Sequence, residues 1–243
     1  MIALLLLLTP CEQGAALFRQ GQLEPARQLL EAAVQSQPDA FCAKSLGIVY
    51  AALGDTRRAE PHLARACRAN PREPDACYFW ARALYSLDRF ADSLAALDRD
   101  PSSPSARSLT ARGQALDALA QNAAEAAFRQ ALKLADSPAE PDPRLSLAAF
   151  LTRQGRLAES LALLRAAPPA YLRLAPYHYQ LGRALAQQEQ WAPAAEALRN
   201  AVSLQPAYPE AHGLLSRVYY RLGDPTQAAR HSALALQGST ISR

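Results

Sequence analysis

Residues 47–66 read Gly47-Ile48-Val49-Tyr50-Ala51-Ala52-Leu53-Gly54-Asp55-Thr56-Arg57-Arg58-Ala59-Glu60-Pro61-His62-Leu63-Ala64-Arg65-Ala66. Two amphipathic segments meet here at Gly54-Asp55, a pair suited to ending one helix and capping the next. The spacing is not private to this stretch. Small anchors recur at Gly14, Gly47, Ala81, Gly113, Ala148, Gly182 and Ser216, at intervals of 33, 34, 32, 35, 34 and 34 residues. Each anchor is followed three residues later by Leu17, Tyr50, Leu84, Leu116, Leu151, Leu185 or Tyr219.

A second small residue follows each anchor by about twelve: Ala26, Ala59, Ser93, Ala124, Ser160, Ala194 and Ala228. A third recurs at Ala33, Ala66, Ala131, Ala167, Ala201 and Ala235, with Leu30, Leu63, Leu97, Phe128, Leu164 or Leu198 between. Pro38, Pro71 and Pro206 close three of the units. Small residues at three fixed places let two helix backbones approach, and the bulky residue fills the groove that remains. Gly21, Gly54, Gly155 and Gly223 supply positive φ at the first helix's end; Asp55 and Asp224 are candidate N-caps, with Pro225 at a tolerated first position.

A period near 34 with this small–bulky–small signature resembles the tetratricopeptide repeat family over nearly the whole chain. The resemblance implies an all-α, right-handed superhelical solenoid of about seven helix-turn-helix repeats. Residues 10–237 form the array, 1–9 are an apolar N-terminal segment, and 238–243 a frayed tail. The third unit breaks at Asp98-Arg99-Asp100-Pro101-Ser102-Ser103-Pro104, so a hinge is expected at 98–105. The fourth lacks one residue around Ala120-Gln121-Asn122, and Pro61 inside a second helix should bend it.

Composition agrees with the architecture. Of 243 residues 50% are hydrophobic, which excludes global disorder, and they are mostly Ala and Leu, which favour helix over strand. No apolar run reaches the 18 residues of a spanning helix. The net charge of +4 is too small to demand nucleic acid. Only Lys44 and Lys133 are lysines, and the scattered arginines read as the coding bias of a GC-rich, expectedly bacterial, genome.

Met1–Leu8 resembles the apolar core of an export signal, although no basic residue precedes it and no Ala-x-Ala site follows. Leu8-Thr9-Pro10-Cys11 is similar to a lipoprotein box but for the Pro before the Cys. An exported, periplasmic or envelope-associated protein is the favoured expectation, a cytoplasmic one the alternative. Cys11, Cys42, Cys67 and Cys77 suit disulfides in an oxidising compartment, with Cys67–Cys77 the preferred pair between neighbouring helices. The alternative is that each cysteine is a small buried residue.

The sequence contains no Gly-x-Ser-x-Gly, phosphate-loop or His-Glu-x-x-His motif, so neither an enzyme, a cofactor nor a metal site is expected. His178 and His212 share one repeat position, and His62 and His231 another, which points to packing roles. The resemblance places partner contacts on the first helix of each unit. The candidates are Lys44, Tyr78, Arg82, Tyr85, Tyr179, Arg183, Arg217 and Tyr220, with Ile48, Arg107, Gln114, Asp117 and Arg221 beside them. Arg follows the anchor in units three, six and seven with Tyr three or four residues away, on the same helical face. Tyr and Arg are the residue types that dominate binding hot spots.

The expected function is a non-enzymatic scaffold that binds a protein or peptide in its concave groove. The alternative is a single-stranded RNA-binding helical-repeat protein. Self-association is expected to be open to the exposed ends of the solenoid.

Overall fold

The computed structural model describes residues 8–36, 39–102, 104–135 and 142–241. Among them are fourteen α-helices and no strand. They run as seven hairpins: α1 (Pro10–Arg19) with α2 (Leu23–Ser36), α3 (Ala40–Ala52) with α4 (Thr56–Ala69), α5 (Ala76–Ser86) with α6 (Phe90–Leu97), and α7 (Ala106–Ala118) with α8 (Ala124–Leu134). Then come α9 (Pro143–Arg153) with α10 (Leu157–Arg165), α11 (Ala175–Gln187) with α12 (Trp191–Leu204), and α13 (Pro209–Arg221) with α14 (Pro225–Ile241). A 3-10 turn, Pro169–Arg173, stands between α10 and α11. The chain divides into two compact units, residues 1–127 and 128–243.

One turn geometry repeats seven times. Seven residues past each anchor the backbone is left-handed, at Gly21, Gly54, Gly155 and Gly223 as the sequence suggested, but also at Asp88, Ala120 and Glu189. The amide that follows reaches back to the carbonyl three residues past the anchor, as in Asp55 N to Tyr50 O at 2.9 Å and Gln121 N to Leu116 O at 2.8 Å. This bond satisfies a carbonyl that the helix end would leave open. The residue missing from the fourth unit is absorbed after this turn, where α8 starts at Ala124 itself.

Second helices start from side-chain caps where the sequence supplies them. Asp55 accepts from Arg58 N and Asp224 from Gln227 N, both at 3.0 Å. First helices are capped too: Thr9 forms a reciprocal capping box with Glu12, and Asp39, Ser105 and Asp142 accept from Cys42, Ser108 and Leu145.

The small–bulky–small pattern is a packing device. A Cβ on Gly14, Gly47 or Gly182 would stand 2.5, 2.5 or 2.6 Å from Cγ of Leu30, Leu63 or Leu198 in the partner helix. Where a serine takes a small position, it bonds the facing carbonyl: Ser93 Oγ to Ala81 O, Ser160 Oγ to Ala148 O, and Ser216 Oγ to Ala228 O. The hydroxyl thereby satisfies an acceptor that close approach shuts off from water.

Each unit has its own core. In the first, Leu30, Leu46, Leu63 and Leu84 are buried with Trp80; in the second, Leu161, Leu185, Leu198 and Leu215 form one cluster and Leu164, Tyr171 and Tyr177 another. Four expectations concern chain segments. Pro61 lies inside helix α4, where the sequence placed it, and the helix runs from Thr56 to Ala69. Helix α14 continues to Ile241, past the expected start of a tail at 238, with Gly238 close against Pro209. The candidate hinge at 98–105 lies inside the first unit, where Arg112 pairs with Asp98. The apolar segment at 1–9 falls mostly outside the described residues.

Two disulfides are formed. Cys67–Cys77 joins α4 to α5, as preferred, and Cys11–Cys42 joins α1 to α3. All four cysteines are buried, so the alternative reading was right about burial and incomplete about bonding.

Candidate functional site

The eight candidate partner-contact residues separate by unit. In the first unit the fold turns them inward or pairs them. Lys44 on α3 is mostly buried, with its ammonium 2.6 Å from Glu73 and 3.0 Å from the Pro74 carbonyl. Tyr78 is buried beneath the Arg107 guanidinium, which lies 5.2 Å over its ring while pairing with Asp75 at 3.2 Å. Arg82 donates to Gln114 at 3.1 Å, linking α5 to α7. Tyr85 packs on Phe90, the first residue of its own second helix. The partners of Lys44, Tyr78 and Arg82 come from the following repeat or the link to it, which position within one repeat does not reveal, while Tyr85 packs within its own repeat.

In the second unit the other four come together. Tyr179 and Arg183 on α11, and Arg217 and Tyr220 on α13, line one cavity of about 850 Å³. Arg221 and the apolar Ala186, Leu214 and Val218 complete its helical walls, and Pro225, Ala228 and Ala229 of α14 close one side. Trp191 also lines it. The sequence reading missed Trp191 because it searched first helices, and Trp191 opens the second helix α12. Its signal was available: the same position in the third unit holds Phe90.

The cavity carries one sign of charge. Three guanidiniums line it and no carboxylate does. Arg183 is half-buried and donates to the Ala149 carbonyl at 3.5 Å and to the Tyr179 hydroxyl. Burial holds its pKa below the ordinary arginine value, with Arg153 adding repulsion. Arg221 lies 5.6 Å over the Trp191 ring, which leaves its N–H edges directed away from the ring. Arg217 is exposed, and Tyr220 is 75% exposed, the most of any large apolar or aromatic side chain in the described residues. Tyr179 rests against Tyr208 at 5.2 Å, and burial pushes the Tyr208 hydroxyl up to about 12.

The histidines take roles set by repeat position. His178 and His212 each direct Nε2 to the carbonyl six residues back, Leu172 and Pro206, both at 3.0 Å. His62 and His231 each stack on the tyrosine twelve residues earlier, Tyr50 and Tyr219. Cys11, Asp39 and Cys42 bring three donor atoms within 4.8 Å, but the two sulfurs are bonded to each other and offer no thiolate.

Comparison with known proteins follows the same lines. A search of curated proteins finds no significant match. Among solved structures, the Cut9–Hcn1 hetero-tetramer of the APC/C matches with a TM-score of 0.74 at 16% identity, over 94% of this chain and 45% of that one. A human IFIT1 dimer with PPP-AAAA matches at 0.66 and 19%, over 90% and 58%. YrrB, described as a tetratricopeptide repeat protein with an unusual peptide-binding site, matches at 0.50 and 19%, over 75% and 95%. The chain thus spans about half the length of the first two, and at these identities the likeness is one of fold. Profiles of the tetratricopeptide repeat match residues 45–106, 179–240 and 141–166, half of the sequence or more. With the seven hairpins and their packing signature, this places the chain in the tetratricopeptide repeat family.

Proposed function

We propose that this chain is a non-enzymatic interaction scaffold that binds a segment of a protein partner through its second unit. The observation that carries the reading is the convergence of Tyr179, Arg183, Arg217 and Tyr220, from two successive first helices, on one cavity. Its size suits several residues of an extended peptide, and its mix of apolar wall and forked donors is that of a recognition site. YrrB, with its peptide-binding site, and Cut9, in a hetero-tetramer, support this reading by analogy of fold.

The working compartment is proposed to be oxidising, as two buried disulfides require conditions in which thiols do not stay reduced. Among the described residues no helix is long and apolar enough to cross a membrane.

The test is recovery of partners on the immobilised chain, comparing wild type with Arg183→Ala/Arg217→Ala/Tyr220→Ala. Loss of the main partners is expected; unchanged recovery would remove the cavity from the function. RNA binding is the second reading, favoured by the arginine cluster and by a fold shared with IFIT1 bound to PPP-AAAA. It calls for salt-dependent binding to single-stranded RNA that the same variant loses.

A further inference from the structure

The reading above leaves the chemistry of the peptide open, and the lining of the cavity addresses it. We infer that the cavity between α11, α13 and the start of α14 selects an acidic peptide segment, with a carboxylate beside an apolar side chain. The inference rests on the proposal that this cavity binds a peptide, and adds the class of peptide.

Charge complementarity carries the argument. Arg183, Arg217 and Arg221 line the cavity with no Asp or Glu among the lining residues. Several arginines elsewhere are neutralised: Arg27 by Glu24 and Glu31, Arg107 by Asp75, Arg112 by Asp98, Arg156 by Glu159. At this cavity, by contrast, three guanidiniums share a lining that supplies no carboxylate. Arg183 shows the consequence: it is partly desolvated, near the like charge of Arg153, and donates to the neutral oxygens of Ala149 and Tyr179. A carboxylate brought there would gain charge-assisted, two-pronged hydrogen bonds from a guanidinium already held in place.

The remaining wall fixes what accompanies the charge. Ala186, Leu214, Val218 and Pro225 form an apolar floor that suits an aliphatic or aromatic side chain next to the carboxylate. A nucleotide fits less well, since base recognition on such proteins needs open aromatic faces for stacking. Here one face of Trp191 lies under Arg221 and Tyr179 is packed on Tyr208, so Tyr220 alone of the lining aromatics is left open, too few to stack successive bases.

The experiment is selection of random dodecapeptides, displayed without a free C-terminus, on the purified full chain and on Arg183→Gln/Arg217→Gln/Arg221→Gln. Sequences with Asp or Glu beside apolar residues should be enriched on wild type and not on the variant. The best of these, synthesised, should lose about 10- to 100-fold in affinity when Glu is replaced by Gln, or when the variant is used. Comparing its amidated and free-acid forms separates side-chain carboxylates from a terminal one: equal affinities assign the site to side chains, tighter binding of the free acid to the terminus.

Enrichment of neutral or basic sequences would overturn the acidic selectivity while peptide binding stood. No enrichment at all would overturn peptide binding itself. Binding of an oligoadenylate as tight as that of the best peptide, lost in the variant, would assign the cavity to nucleic acid instead. Should the triple variant melt early, the exposed Arg217→Gln alone carries the test, with a smaller expected loss of about tenfold.

Discussion

Gly47 faces Leu63 across the second hairpin so closely that a methyl group on Gly47 would stand 2.5 Å from the leucine Cγ. In an open helix, Gly→Ala is favourable by about 1 kcal/mol. Here the overlap reverses the sign, because a branched carbon inside a packed interface has nowhere to retreat. Gly47→Ala should destabilise by about 2 kcal/mol. Gly213→Ala is the control: its nearest contact would be Ala235 Cβ at 3.9 Å, so a neutral or slightly stabilising effect is expected. Chemical denaturation of the two variants decides, and equal effects would discard the packing account of the repeat's glycine.

The left-handed turn residue offers the opposite experiment. Ala120 and Glu189 hold φ of 53° and 59° at the position where four other repeats have glycine. A side chain there costs about 1–2 kcal/mol, part of which glycine returns through its freer unfolded state. Ala120→Gly and Glu189→Gly should each stabilise by about 0.5–1 kcal/mol. A lower midpoint in either variant would mean that the turn derives support from the side chain itself.

These two cases show what the sequence could and could not disclose. The seven hairpins were readable because close helix contact demands small residues at a constant phase, and phase survives substitution. The left-handed residue in three of the turns was not, since Asp88, Ala120 and Glu189 lack the glycine signal and are held left-handed by the bond that closes each turn. The candidate contacts divide on similar grounds. Tyr78 and Tyr179 occupy the same position relative to their anchors, yet Arg107 covers the first and Tyr208 flanks the second. The neighbouring repeat decides which tyrosine meets solvent, and no pattern internal to one repeat contains that information.

The disulfides predict a thiol count and a stability difference. Denatured unreduced protein should titrate no thiols and reduced protein four, and one or more free thiols before reduction would contradict the pairing. Breaking Cys67–Cys77 frees a short loop and should cost about 3 kcal/mol; Cys11–Cys42 closes a longer one and should cost about 3–4 kcal/mol. Denaturation of Cys67→Ala/Cys77→Ala and Cys11→Ala/Cys42→Ala, against wild type, measures both.

The buried pair His212–His231 makes stability depend on pH. Their Nδ1 atoms are 2.8 Å apart, and His212 Nε2 faces the Pro206 carbonyl, which can only accept. His212 therefore presents a lone pair at Nδ1, and His231 donates to it. Burial lowers the His231 pKa below the ordinary 6.5, and the nearby His212 and Arg230 lower it further; His62 is lowered by burial and Arg65. The unfolded chain therefore takes up these protons first as pH falls. Stability should be full above about pH 6.5 and decline below it, with His231→Gln flattening the decline. An unchanged acid limb in that variant would assign the pH dependence elsewhere.

Both covalent cross-links lie between residues 11 and 77, whereas the cavity is built from residues 179–232. In repeat arrays stability is local, so a bond in one repeat does little for distant ones. The C-terminal hairpins thus depend on packing alone, and an occupant that touches α11, α13 and α14 at once acts on them as a reversible clasp. At a hundredfold excess over its dissociation constant a ligand adds about 2.7 kcal/mol, comparable to the shorter disulfide. Amide exchange in α13 and α14 then becomes a gauge of occupancy, slowing as the partner fills the cavity and quickening as it leaves.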